Sequence, residues 1–338
     1  MSAALLVRAP IALVPVVLFL AALVQLDGYR LLRLRLMLML MAGGALASGA
    51  SFLGNNLAFE HFPGTLLAYS RYVSPWIEET LKALPVAFLI RTRRVGLPVD
   101  AGIAGFAIGT GFGVVENLYY LTSRPESSLA VQVLRGFGTA IMHGGTAAIL
   151  AMISNTLYER RPAGGLRFIV PGLLVAVLLH AGFNFLLVRP VLATLATLLV
   201  LPAVIVVVFA HSERLLRNWL ETDLDANVRL LESISSGTFL GSRSGRYLQS
   251  LRERFRGEQL ADMLCYLRIH GELAVRAKGV LLMRESGLHE PPLDPETSAR
   301  LAELAQLARA IGRTGLLALR PLLVTTGKEI WQLRLLRQ

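Results

Sequence analysis

Stretches of about twenty predominantly apolar residues recur through the first two thirds of the chain, each long enough to cross roughly 30 Å of hydrocarbon as a helix. They run over Leu5–Gln25, Met37–Phe59, Tyr72–Ile90, Ala101–Leu121, Val131–Leu157, Phe168–Val188 and Val191–His211. That pattern predicts an all-α, polytopic membrane helix bundle of about seven spans. The composition agrees: 54% hydrophobic residues, 17% charged and a mean hydropathy of +0.55 exclude a disordered chain and an ordinary water-soluble enzyme. Arg8 is the only basic residue in the first run and a stronger cluster follows it, so that run reads as a retained span rather than a cleaved leader. With Cys265 the only cysteine, an intramolecular disulfide and a thiolate metal cluster are both excluded.

Loop charge predicts the orientation, because basic residues beside spans stay on the cytoplasmic side. Arg30, Arg33 and Arg35 follow the first span, Arg91, Arg93 and Arg94 the third, and Arg160, Arg161 and Arg167 the fifth. The alternate loops hold only Arg71, Arg124 and Arg189. The N-terminus is therefore expected outside and everything after His211 inside.

From Ser212 onward Arg, Glu and Asp become frequent, so residues 1–211 read as the membrane-embedded bundle and 212–338 as a cytoplasmic, mainly helical domain. Helical spacing is expected over Arg246–Arg256, Leu260–Leu282, Ser298–Ile311 and Leu317–Leu336, with Pro291, Pro292 and Asp294-Pro295 marking a turn. Mixed charge along these helices reads as a solvated face suited to protein contact or self-association, not to nucleic acid. The segment after Lys328, with Trp331, Arg334 and Arg337, has the composition of a helix lying on anionic lipid.

A charged side chain in mid-span costs about 2.5–3.5 kcal/mol on insertion scales, so each needs a reason. Apart from Arg8 and Arg135, near the starts of the first and fifth spans, those present are clustered: Glu78, Glu79 and Lys82 in the third span, Glu116 with Asn117 in the fourth, His143 in the fifth, and His180 with Asn184 in the sixth. Lys82 lies four residues after Glu78 and three after Glu79, in reach of both on one helix face; His180 and Asn184 also share a face. Gly105, Gly109 and Gly113 form a small-residue stripe on which a neighbouring helix can pack closely. In the assigned topology Glu78, Glu79, Glu116, His143 and His180 fall about 8–18 Å below the outer surface at 1.5 Å per residue, so they can meet in the outer half of the bilayer.

A buried Glu tuned by its surroundings can take a proton from water and return it to a leaving amine, while imidazoles and an amide stabilise an oxyanion. Peptide hydrolysis by activated water follows naturally; no Ser-His-Asp order or spanning Cys suggests an acyl-enzyme. These residues also carry a resemblance. Glu78-Glu79-Thr80-Leu81-Lys82 resembles the EExxK motif, Phe112-Gly113-Val114-Val115-Glu116 the FxxxE motif and His180-Ala181-Gly182-Phe183-Asn184 the HxxxN motif of the PrsW-type intramembrane proteases, relatives of the CAAX prenyl proteases and bacteriocin-processing proteins. His143 stands where that family has its other helical His. The resemblance covers about residues 72–188. It implies that Glu78 or Glu79 activates water, that Lys82 balances the pair, and that Glu116, His143, His180 and Asn184 orient water and stabilise the tetrahedral intermediate. It further implies a bacterial inner-membrane location and a single-span membrane-protein substrate such as an anti-sigma factor, cut on its extracytoplasmic side. Glu116, His143 and His180 would suffice as ligands for Zn²⁺, with a fourth position left for water.

Other readings attach to the same residues. Glu78, Glu79 and Lys82 would also serve as a neutralised cluster locking helices, and Phe112 as a packing residue. A secondary transporter places ionisable groups mid-membrane too, though Pro75, Pro85 and Pro171 are too few and scattered for broken helices. A catalytically idle scaffold that binds partners is the third class. Asn55, Asn56 and Asn155 read as interhelical hydrogen-bond formers outside the site, and His61, His211, His270 and His289 as exposed.

Overall fold

In a computed structural model of the chain, the described residues are 34–123, 129–160, 165–186, 190–288 and 294–323, with isolated positions between 14 and 32 and at 333 and 336. All regular elements among them are helical: α1 (Leu34–Glu60), α2 (Leu66–Tyr72), α3 (Ser74–Arg91), α4 (Pro98–Ser123), α5 (Leu129–Arg160), α6 (Ile169–Leu186), α7 (Pro190–Ser235), α8 (Arg243–Ser250), α9 (Gly257–Glu285) and α10 (Pro295–Leu319), with 3₁₀ turns at Thr238–Gly241 and Leu251–Glu253. The chain divides into two compact units, Met1–Glu213 and Arg214–Gln338.

In the first unit, α4 and α5 form the most extensively packed pair. Their most apolar windows are 78% and 89% buried, against 33% for α1, so α4 and α5 are enclosed by protein while α1 presents apolar surface outward. Leu46, Leu53 and Leu57 on α1, Leu84 and Phe88 on α3, and Leu174 and Leu178 on α6 are exposed, a surface that water would penalise and lipid would not. Leu34–Glu60, Pro98–Ser123 and Gly136–Glu159 are long and apolar enough to cross a membrane; Ile169–Phe185 is as apolar in character but shorter. The first expected span lies largely outside the described residues. The third corresponds to α3, within a few residues at either end, with Pro75, which has no N–H to donate, in its first turn; the short helix α2 precedes it, separated at Val73. α2 is capped by Thr65, whose hydroxyl accepts from Ala68 N at 3.2 Å. The last expected span lies inside α7, which runs on without interruption to Ser235.

The second unit is built around Phe239, Leu248, Leu251, Met263, Leu267, Ile311 and Leu319. The helix expected over Arg246–Arg256 is shorter: α8 ends at Ser250 and tightens into a 3₁₀ turn. Ser298–Ile311 and the start of the following segment join in α10, bent at Gly312, whose φ of 72° only glycine adopts without strain. Residues 324–332, within the expected Leu317–Leu336 helix, and His289 lie outside the described residues. Asp294 opens α10 as its cap, accepting from Thr297 N at 2.6 Å, with Pro295 in the first turn.

His61 and His211 are exposed, but His270 is buried, contrary to expectation, beside a Lys278–Asp223 ion pair of 2.5 Å. Burial, and next the Lys278 ammonium, hold its imidazole at a pKa of about 4, with Asp223 opposing. The unfolded chain, with its His near 6.5, binds the proton first as pH falls, so this contribution is complete above about pH 6.5 and lost towards pH 4. The gap corresponds to about 3 kcal/mol. Thermal unfolding of the full chain in detergent from pH 8 to pH 4 is expected to show that acid-side loss, and His270→Leu to remove most of it.

Candidate active site

The glycine stripe of α4 faces α5. At Gly109 a Cβ would overlap the carbonyl oxygen of His143, so absence of a side chain lets the α5 backbone close onto α4 and places the His143 ring. Gly111, on another face, packs in the same way against Met41 of α1. Gly109→Ala is therefore expected to cost about 2 kcal/mol of stability and to displace His143. Circular-dichroism melting checks the stability loss, and a shifted His143 ring resonance in NMR the displacement.

α3 touches α1, α4, α5 and α6, so its polar face meets residues from all of them. Glu79 and Lys82 are fully buried and paired, Lys82 Nζ to Glu79 Oε1 at 2.7 Å. The ammonium also lies 2.6 Å from His143 Nδ1 and 4.2 Å from the centre of the Phe112 ring. Glu79 Oε1 further meets His180 Nδ1 at 2.7 Å and accepts from Thr146 Oγ1 at 3.3 Å. These contacts settle both tautomers in their neutral forms. His143 Nδ1 accepts from the ammonium, so its proton sits on Nε2, against the Glu116 carboxylate. His180 donates from Nδ1 to Glu79, so its Nε2 lone pair is free.

Glu78 is placed otherwise. Oε1 accepts from Ser74 Oγ at 2.6 Å and Asn55 Nδ2 at 3.3 Å, and Oε2 lies 3.8 Å from His180 Nε2. Glu78, Glu116, His180 and Asn184 line one cavity of about 460 Å³, walled by Leu66, Leu67, Met142 and Phe183. Asn184 Nδ2 donates to the Ser70 carbonyl at 2.7 Å. All seven residues singled out in the sequence, Glu78, Glu79, Lys82, Glu116, His143, His180 and Asn184, thus gather around one cavity or directly behind it. Two acceptors 3.8 Å apart, Glu78 Oε2 and His180 Nε2, suit a water that donates one hydrogen to each and turns its lone pair outward.

A family model described as PrsW family intramembrane metalloprotease matches residues 33–210, more than half of the chain. The chain belongs to the PrsW family of intramembrane proteases. Comparison with curated proteins and with solved structures gave no match. In this PrsW-family chain Lys82 pairs with Glu79 alone, although sequence spacing put both carboxylates in its reach, because Asn55 and Ser74 hold Glu78 towards the cavity. Asn55, expected to form interhelical hydrogen bonds outside the site, does bond across helices, and one of its partners is Glu78. Ser74 and Thr146 were not anticipated, since an isolated hydroxyl in a span carries no signal of its own. Phe112 packs, as expected, and its partner is the Lys82 ammonium. Asn155 is buried and neither end of its side chain has a partner among the described residues, so the expected interhelical bond is not made among them.

The family description implies a metal. Donor atoms of Glu78, His143 and His180 lie within 4.8 Å of one another, a set of two imidazoles and a carboxylate that fits a divalent ion in number and type. Its carboxylate is Glu78, where sequence reasoning placed Glu116. Glu79 on His180 Nδ1 is the usual outer partner of a ligating imidazole. His143 fits on one condition: to offer Nε2 it must carry its proton on Nδ1, which Lys82 occupies as a donor.

Proposed function

We propose that the chain hydrolyses a peptide bond of a membrane-protein substrate with a water activated by Glu78. The observation that carries this reading is the split between the two acids: Glu79 is sealed into contacts with Lys82, His180 and Thr146, while Glu78 turns a carboxylate oxygen to the cavity opposite the His180 lone pair. Water donates to both. Glu78 takes a proton as the oxygen attacks the carbonyl carbon, and returns it to the nitrogen as the C–N bond breaks. The Asn184 amide hydrogen not given to Ser70 faces the oxyanion, while His143 Nε2–H, kept in that tautomer by Lys82, holds the Glu116 carboxylate at the cavity wall.

The substrate in this reading is a single-span protein of the anti-sigma type, cut in the outer half of a bacterial inner membrane. The bundle 1–211 crosses seven times with its N-terminus outside. Residues 212–338 form a cytoplasmic helical domain that contacts partners or a second copy.

Reconstituted protein in proteoliposomes, incubated with a library of single-span peptides in ¹⁸O-water, is expected to release fragments whose new carboxyl termini carry the label. Absence of labelled fragments removes the reading. A second reading is favoured by the three-donor cluster and the family description: Glu78, His143 and His180 would hold a divalent ion such as Zn²⁺. Such an ion supplies Lewis-acid polarisation of water and carbonyl. Glu116 is then the cavity carboxylate left to accept the proton. Metal analysis and chelator treatment separate the two: we expect cleavage to persist after chelation, as the Lys82 contact on His143 favours. Stoichiometric metal with chelator-sensitive, zinc-restored cleavage establishes the second.

A further inference from the structure

We infer that Asn55 of α1 and Tyr69 of α2 form a positioning relay that aims Glu78 at the water, so that the site depends on helices outside the three motifs. The inference rests on the peptidase reading above. Every polar group of the Asn55 amide has a partner. Tyr69 OH shares its one hydrogen between Asn55 Oδ1 at 3.0 Å and the Asn55 backbone carbonyl at 3.1 Å. Its Nδ2 donates to Glu78 Oε1 at 3.3 Å and towards Ser51 Oγ at 3.5 Å.

The amide has one workable orientation. Turned over, Oδ1 would face the Glu78 carboxylate, acceptor against acceptor, in surroundings that screen poorly. Tyr69 holds it the right way round, and with Ser74 it occupies Oε1 of Glu78. The carboxylate is thereby held with Oε2 towards His180 Nε2 and the cavity. Tyr69 is itself fixed: it is 3% exposed, with the Phe59 and Phe62 rings edge-on at 5.2 and 5.4 Å. A buried phenol and an intramembrane amide would otherwise be poor choices for a surface between α1 and α2; their joint bond to the base accounts for both. Asn55 acts through Glu78 and Tyr69 through Asn55, so the relay changes turnover rather than substrate affinity.

The test uses the single-span peptide that wild type cleaves fastest, in proteoliposomes. Asn55→Leu, close in size and suited to a membrane helix, is expected to lower kcat about 10- to 100-fold with KM within about twofold. Tyr69→Phe is expected to lower kcat about 3- to 10-fold, and to add nothing further in the Asn55→Leu background. Asn55→Gln, which keeps the donor, recovers part of the loss. An unchanged kcat in Asn55→Leu, a loss confined to KM, or a Tyr69→Phe factor that multiplies in full with Asn55→Leu overturns the relay. Wild type that cleaves nothing overturns the peptidase reading and the relay with it, whereas active wild type with indifferent Asn55 variants overturns the relay alone.

Discussion

Glu78→Gln is expected to lower peptide cleavage by about 10³-fold or more while leaving the fold intact. A positioned general base contributes about 10²- to 10⁴-fold, and nothing else in the cavity has the same combination of a free carboxylate oxygen and a facing imidazole lone pair. The substitution is close to isosteric, and the amide oxygen of Gln still accepts from Ser74 and Asn55, so the melting temperature should stay within a few degrees. Glu116→Gln, measured beside it, is expected to fall by a smaller factor, because that carboxylate acts on His143 rather than on the water. The reverse ranking would transfer the base to Glu116 and favour the metal-assisted reading. Initial rates with the single-span peptide that wild type cleaves fastest, at protein concentrations corrected for folded fraction, decide between them.

Glu79→Ala is expected to act on stability first. It leaves a fully buried ammonium facing an imidazole and a phenyl ring with no carboxylate, and breaking one side of a buried pair costs about 3–5 kcal/mol. His180 Nδ1 loses its acceptor as well, while Thr146 Oγ1 keeps the His143 carbonyl at 3.3 Å. Thermal aggregation in detergent should therefore begin well below the wild-type temperature. Replacing both partners, Glu79→Leu with Lys82→Met, removes two desolvated charges together and is expected to recover most of the stability. Cleavage should not recover, because the His180 and His143 tautomers are set by those two side chains. A double variant as active as wild type would reduce the pair to a structural lock.

The two experiments address residues that are adjacent and chemically identical, and their contrast bears on how much of the site was legible in the chain. Spacing along a helix placed Glu78, Glu79 and Lys82 on a common face, but a face about 100° wide does not say which acid the ammonium takes. That choice came from α1 and from the start of α3, where Asn55 and Ser74 draw Glu78 away. Asn55 was visible as a polar residue in an apolar run; nothing local connected it with an acid twenty-three residues later. His270 erred in the opposite direction: its place in the less apolar part of the chain suggested exposure, and packing beside the Lys278–Asp223 pair buried it. The stripe Gly105, Gly109 and Gly113 was read correctly as a close-packing face, because absence of a Cβ has the same consequence in any helix pair.

Helical class, the apolar runs and the identity of the seven polar residues follow from composition and period alone, since these depend on short-range sterics and on the cost of placing charge in hydrocarbon. Which oxygen faces the cavity, which imidazole nitrogen carries the proton, and which helix supplies the hydrogen bond that aims the base were decided only when α1, α3, α5 and α6 came together. Hydrogen-bond direction is a property of pairs brought within about 3 Å, and apart from Lys82–Glu79 and Ser74–Glu78, both within α3, the bonds that matter here join different helices.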